Sequence, residues 1–287
     1  MSPHVATRAV RRSSSGAPRA RSLRIVRMSD ALAARLSRAA GSAGRVHSVF
    51  ARAVNLEWAD GSLATLHGPG PLRAPFAAAV ERVALLRAQR PGAAVAVEAG
   101  RLRLPGLTLM WEAAAAVDCA IPVPPPGLER VVIDALREGT ARPTGLDSAR
   151  GVAARAALAA AIRSGDPDAL VAAATGLLGL GEGLTPAGDD CLVGALAVLH
   201  AVGHPALGRV STGSNTVARA AAERTTAIGR EFVTHALAGR FSEPVLALLR
   251  ARSAREATSA AARLAGLGAT SGADTLAGLR LACRVAA

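Results

Sequence analysis

The residues best suited to chemistry sit in one stretch, Gly179 to Gly203. Four glycines come first within ten residues, Gly179, Gly181, Gly183 and Gly188, with Thr185 and Pro186 between them. Two adjacent carboxylates follow, Asp189 and Asp190, and then an almost wholly apolar run to Val202. Glycine at this density forbids a regular element and permits positive φ or a close backbone approach. The apolar run reads as a buried helix over 190–202, capped by Asp189 or Asp190 and ended by Gly203 and Pro205. A helix start presents free N–H groups and partial positive charge, so the loop before it can cradle a small anion. Two carboxylates there would repel that anion unless they hold a cation, act as a general base, or bond an amide of the ligand. The plainer reading is a tight helical corner with the Asp residues as caps.

A second stretch echoes the first. Gly179-Leu180-Gly181 precedes Ala187-Gly188-Asp189-Asp190-Cys191-Leu192-Val193-Gly194, and Gly266-Leu267-Gly268 precedes Ser271-Gly272-Ala273-Asp274-Thr275-Leu276-Ala277-Gly278. Gly194 and Gly278 each lie four residues after an Asp, on the same helix face, where a missing side chain lets another helix or a ligand approach. If the two helices pack together, Asp190 and Asp274 line one pocket with the 179–188 loop. Further candidates are Thr225 and Thr226, flanked by Arg224 and Arg230, together with Thr270, Ser271 and Gly272. A guanidinium fork suits carboxylate or phosphate, although solvated helix arginines are commoner in so Arg-rich a chain. Asn55 falls on a strand among apolar neighbours, where it serves a ligand or bonds a bulge. His200, His204 and His235 are scattered, and Cys119, Cys191 and Cys283 are widely spaced in apolar company. No His or Cys spacing suits zinc, and the cysteines read as small buried hydrophobes of a reducing compartment.

The elements that must position these residues fall into two modules, an α+β arrangement. A mixed β-sheet module spans 28–126, with a short helix over 29–40 and strand patterning over 45–67, where Asp60-Gly61 marks a hairpin turn. A helix is expected over 74–89, then strands at 93–98, 101–104 and 107–111. The Pro-rich stretch 122–126 marks the boundary. A mostly α-helical module spans 127–287, with helices expected over 128–138, 147–163, 167–178, 190–202, 214–238, 243–251, 254–265 and 274–285. Residues 1–27 carry seven arginines and no acid. They read as a disordered head, with Met28 as the expected true start.

Composition excludes several classes. The 287 residues include 51% apolar side chains, which suits a globular chain. Every basic residue is Arg. The absence of Lys removes a Schiff-base lysine, hence ordinary pyridoxal-phosphate chemistry, and a P-loop lysine. No nucleotide motif is present, because the Gly-rich stretch follows a helix and lacks dinucleotide spacing. Seven of the formal +13 charges lie in the head, which weakens the case for a nucleic-acid partner. No apolar window is long enough to cross a bilayer, and a cytoplasmic location is expected.

The stretch Gly-Leu-Thr-Pro-Ala-Gly-Asp-Asp-Cys-Leu-Val-Gly (183–194) closely resembles the signature of the AllH-type proteins, described as subunits of an oxamate carbamoyltransferase of allantoin catabolism. Ser48 to Leu56, Thr225-Thr226 before a helix ending at Ala236–Gly239, and Thr270 to Gly278 agree with it, so the resemblance spans about residues 44–285. It implies a complex that interconverts oxalurate and phosphate with oxamate and carbamoyl phosphate, other subunits as partners, and a small anionic substrate. The chain departs from the family pattern at Ala187, where Ser is expected, and at Ala269, where His is expected. On this reading Asp189, Asp190 and Asp274 carry the chemistry. Gly181, Gly183, Thr185, Gly188, Gly194, Thr225, Thr226, Thr270, Ser271, Gly272 and Asn55 surround the substrate. Two alternatives stand beside it: a hydrolase with those Asp residues as ligands for a divalent metal, and a non-catalytic assembly or regulatory subunit.

Overall fold

The computed structural model describes residues 21–123, 125–138, 143–211 and 216–286. Nine strands come first: β1 (Arg21–Ser29), β2 (Ala43–Val49), β3 (Ala53–Trp58), β4 (Leu63–His67), β5 (Ala77–Val80), β6 (Ala94–Glu98), β7 (Arg101–Leu104), β8 (Leu107–Met110) and β9 (Ala115–Val117). One helix, α1 (Asp30–Arg38), interrupts them after β1; the Ser29 hydroxyl caps it, accepting from the Leu32 N–H at 3.1 Å. The helical part follows: α2 (Arg130–Glu138), α3 (Ala149–Ser164), α4 (Pro167–Leu177), α5 (Ala187–Val202), α6 (Leu207–Ser211), α7 (Thr216–Arg224), α8 (Ala227–Leu237), α9 (Glu243–Leu249), α10 (Ala254–Ala265) and α11 (Ser271–Ala286).

The sheet closes on itself. Its order is β5-β4-β3-β2-β6-β7-β8-β1, and β5 pairs back onto β1, so eight strands form a barrel of mixed sense and β9 adds to β1 beyond β8. β1 is the closing strand: β8 runs parallel to its first half, and β5 runs antiparallel to its second half across a bulge between Ile25 and Arg27. Alternation fills the interior, as in β7, where Leu102 and Leu104 are buried and Arg101 and Arg103 face water. The expectation of a disordered head therefore fails for residues 21–27, which lie within β1; a chain begun at Met28 would lack most of that strand. Residues 1–20 lie outside the described residues. The helix expected over 74–89 is also corrected. Ala77–Val80 is a fully buried strand, followed by a short 3₁₀ turn at Val83–Ala88. Alanine favours helix intrinsically, but the gap between β1 and β4 needs a strand, and tertiary pairing overrides propensity.

In the helical part α5 is the centre, with fourteen of its sixteen residues buried. It crosses α11 at the two glycines of the sequence echo, and the contacts are reciprocal. A Cβ on Gly194 would lie 2.0 Å from the Thr275 carbonyl oxygen and 2.9 Å from the Leu279 nitrogen. One on Gly278 would lie 1.9 Å from the Cys191 carbonyl oxygen and 3.0 Å from the Ala195 nitrogen. The corners repeat too. Leu180 N–H donates to Leu177 O and Gly188 N–H to Leu180 O; Leu267 N–H donates to Leu264 O and Gly272 N–H to Leu267 O. The echo is thus an internal repeat of two helical corners, α4–α5 and α10–α11, packed about a local pseudo-twofold axis. The first corner is three residues longer. Between barrel and helices lies a smaller apolar seam containing Phe76 and Ile228, with the Phe76 and Phe232 rings edge to face at 5.0 Å.

Because backbone atoms occupy the space a side chain would need, Gly194→Ala and Gly278→Ala should each lower stability by about 2 kcal/mol or more, measured by urea unfolding. Unchanged stability in both variants would show that the helices can part without cost.

Candidate functional site

The Gly-rich corner is built differently from a simple capped helix. The N-cap of α5 is Pro186, which has no side-chain hydrogen-bond acceptor, so Asp189 and Asp190 stand inside the first turn and cap nothing. Three amides at the helix start are already used: Gly188 N–H donates to Leu180 O at 2.7 Å, and the Asp189 and Asp190 N–H groups donate to Pro186 O at 3.0 and 3.2 Å. Gly181 and Gly183 take positive φ, 108° and 98°, and are exposed on the outside of the loop.

The three carboxylates point to three different places. Asp189, 1% exposed, accepts from the Gly179 N–H at 2.9 Å and from the Thr225 hydroxyl, and so ties the corner to the break between α7 and α8. Gly229 makes room for it: a Cβ there would meet Asp189 Oδ2 at 2.3 Å. The expected helix over 214–238 breaks at this point, with Thr226 capping α8 by accepting from the Gly229 N–H while its hydroxyl donates to Leu184 O at 2.5 Å. Asp274, fully buried, accepts from the Gly145 N–H at 2.9 Å. Burial raises the pKa of both groups, opposed at Asp189 by the Thr225 and Gly179 bonds and at Asp274 by Gly145 N–H and the Thr270 hydroxyl.

Asp190 lines a cavity whose wall includes neither Asp189 nor Asp274. The cavity holds about 210 Å³ between the start of α5, the α10–α11 corner, the start of α9 and the segment after β4. Thr185, Ser271, Gly272, Thr275, Arg73 and Arg240 share its wall with Asp190, and Phe232, Phe241 and Leu267 supply apolar lining. The Thr185 and Ser271 hydroxyls are bonded to each other at 2.7 Å. Asp190 is 6% exposed, and its Oδ2 has no hydrogen-bond partner among the described residues. Burial pushes its pKa well above the usual carboxylate range and Asp274 and Asp189 add to this, while the Ser271 and Thr185 hydroxyls pull the other way. A buried carboxyl with an unused oxygen, two hydroxyls and two guanidinium groups in one small cavity can receive a ligand that carries both an amide and a negative charge.

Arg73 and Arg240 were not singled out by sequence reasoning. Arg240 directly follows the Ala236–Gly239 motif and pairs with Asp30 at 2.8 Å; Arg73 has no ion-pair partner among the described residues. The segment after β4 and the turn between α8 and α9 bring them into the wall of the cavity that Asp190 lines. The arginines that were singled out lie elsewhere: Arg230 donates to Gly61 O and Arg224 to Thr175 O at 3.4 Å, each holding a backbone carbonyl. Asn55 donates to Ser48 at 3.0 Å and accepts from Thr65 at 2.7 Å, beside the bulge in β2 between Val46 and Ser48, and is not in the cavity wall. Gly194 and Gly188 serve helix approach, and Thr270 O accepts the Asp274 N–H. Among the described residues no three His, Cys, Asp or Glu side chains come together to hold a metal ion, so the three Asp residues do not form the ligand set of the hydrolase reading. No helix among them is long and apolar enough to cross a membrane.

Two family profiles match the chain. The AllH family N-terminal domain covers residues 22–117, which is the barrel, and the oxamate carbamoyltransferase subunit AllH covers residues 177–283, which holds both helical corners. The chain belongs to the AllH family. No curated protein and no solved structure matches it significantly. The second of these profiles carries the name of an oxamate carbamoyltransferase subunit.

The raised pKa of Asp190 has a measurable sign. Folding favours its protonated form, so its stability contribution is greatest below the usual carboxylate pKa. That contribution is lost as pH rises from there to the raised value, and stays lost above it. Asp190→Asn lacks this loss. Relative to wild type, the variant should gain about 1.4 kcal/mol of stability for each pKa unit of the shift as pH rises from about 4 to 8, measured by urea unfolding. The same pH dependence in both proteins would show that Asp190 is ionised and compensated in the fold.

Proposed function

We propose that this AllH chain is the oxamate-binding subunit of a carbamoyltransferase complex, with the substrate in the cavity over Asp190. The observation that carries the reading is Asp190, a buried carboxyl whose Oδ2 has no partner among the described residues, in the wall of a cavity that also holds two guanidinium groups. Oxamate is a carboxylate joined to an amide. Arg73 and Arg240 suit the carboxylate, since a guanidinium offers a planar fork of donors. Asp190 suits the amide N–H, with the Thr185 and Ser271 hydroxyls free to turn toward the amide carbonyl. In transfer, the oxamate nitrogen forms a bond to the carbamoyl carbon, the carbon–oxygen bond to phosphate breaks, and one proton leaves nitrogen. A carboxyl whose pKa lies above the usual range is a competent acceptor for that proton and a competent donor in the reverse direction. Asp189 and Asp274 act here as positioning residues, holding the two corners through Thr225, Gly179 and Gly145.

The departure at Ala187 fits the same scheme. Ala187 and Asp274 Oδ2 both lie within 4 Å of the point where a Gly145 side chain would begin, so a Ser at 187 would place a hydroxyl near an oxygen that has no partner among the described residues.

The test uses the chain assembled with the other subunits of the complex. Oxamate should bind wild type, Asp190→Asn should lower turnover at least about a hundredfold with the fold intact, and Arg73→Gln should weaken oxamate binding about tenfold. Asn would serve as well as Asp in a merely structural role, so equal affinity and turnover in wild type and Asp190→Asn would contradict the reading. Full activity of the complex without this chain would make it an assembly subunit.

A further inference from the structure

A second cavity lies wholly within the barrel domain, on the far side of Arg73. It holds about 350 Å³ between the turn after β2, the end of β4, the Gly68–Pro71 turn and the 3₁₀ turn at Val83–Ala88. Its charged wall is one-sided: Arg52, Arg73 and Arg87 line it, and no carboxylate does. Arg87 commits its Nε–H to Ala51 O at 2.9 Å; Arg52 and Arg73 have no ion-pair partner among the described residues. The floor holds His67, 6% exposed. Its Nδ1 lies 2.7 Å from Gly68 O, a carbonyl that can only accept, so Nδ1 carries a proton; Nε2 is buried without a partner among the described residues. The Thr65 hydroxyl also reaches the cavity. Three cations and a buried imidazole with an unused nitrogen form a polar site that no lining carboxylate neutralises.

We propose that this cavity binds a small tetrahedral dianion, either free phosphate or the phosphoryl group of a small metabolite. The three guanidinium groups supply forked donors to its oxygens. His67 supplies a further donor once Nε2 takes a proton, so binding and protonation are coupled. In the empty cavity burial lowers the His67 pKa and the charges of Arg73 and Arg27 add to this, while the Gly68 carbonyl and Glu243 raise it. Glu243 is itself paired with Arg27 at 2.8 Å, which limits its pull. A bound dianion beside Nε2 reverses the balance, so the complex takes up a proton and holds the anion more tightly as pH falls. Arg73 lines both cavities, which makes it the one residue through which an anion here could influence occupancy over Asp190. The dianion site stands apart from the oxamate reading, because none of its other residues touches the first cavity.

The test titrates sulfate, which stays dianionic over the histidine range, and then inorganic phosphate and acetyl phosphate, into the full chain by calorimetry in buffers of differing ionisation enthalpy. Saturable sulfate binding with proton uptake is expected, strengthening as pH falls from about 8 to 5. Arg52→Gln, an exposed position that should not disturb folding, should weaken it about tenfold. His67→Asn should abolish the proton uptake, and in wild type the His67 ring resonances should shift on binding. Asp190→Asn should leave sulfate binding unchanged whatever becomes of the oxamate reading. Tighter binding of acetyl phosphate than of phosphate assigns the site to a phosphoryl group, and the reverse assigns it to free phosphate. Sulfate binding that is absent, that survives Arg52→Gln at full strength, that moves no proton, or that is lost in Asp190→Asn would overturn the proposal.

Discussion

The close crossing of α5 and α11 is the constraint on which the rest depends. Each helix presents a glycine to the other's backbone, and the contact pairs are equivalent across the pseudo-twofold: Gly194 with Thr275 and Leu279, Gly278 with Cys191 and Ala195. Such an approach leaves no room for side chains at the crossing and fixes the register of the two helices to within a fraction of a turn. That register sets Asp190 and Asp274 beside one another at adjacent helix starts, deep in the protein, where a charge is expensive. The fold resolves the conflict unequally. Asp189 gains Thr225 and Gly179 and Asp274 gains the Gly145 N–H, while Asp274 Oδ2 and Asp190 Oδ2 are each left without a partner among the described residues, and Asp190 lines the cavity. The repeat supplies the symmetry, and the three extra residues in the first corner, which carry Thr185 to Ser271, break it.

The barrel completes what the helices leave open. Its closing strand β1 ties to the helical part through Arg27, which pairs with Glu243 at the start of α9, and Glu243 in turn accepts from the Leu72 N–H at 2.5 Å. This clamp fixes the segment that carries Arg73 against the mouth of the Asp190 cavity. Arg73 thus reaches the wall of that cavity from the barrel, while Arg240 reaches it from the turn between α8 and α9.

How much of this the sequence discloses depends on range. The helix boundaries at 254–265 and the strands at 93–98, 101–104 and 107–111 follow from patterning and turn residues close in sequence, and they match the structure. The echo of small-Gly-any-Asp motifs also proved legible, because the same local geometry demands the same residues twice. What was missed is long-range. Residues 21–27 read as the end of a basic head because their arginines continue those of the preceding residues, yet Leu23 and Ile25 are buried on either side of exposed Arg24, as a barrel strand requires. Ala77–Val80 looked helical because alanine is, and only the need to close the sheet makes it a strand. Arg73 and Arg240 carry no local signal that separates them from the other arginines; their placement is a property of how barrel and helices meet. The pairing of the Gly188, Asp189 and Asp190 amides with the Leu180 and Pro186 carbonyls is likewise a property of the folded corner and leaves no mark in the sequence.

The most direct test is a crystal structure of the assembled complex with oxamate bound. The account predicts oxamate in the cavity shared by barrel and helices, its carboxylate against Arg73 and Arg240 and its amide nitrogen within hydrogen-bonding distance of Asp190 Oδ2. Oxamate bound elsewhere, with Asp190 Oδ2 facing an empty cavity or a structural water, would contradict it.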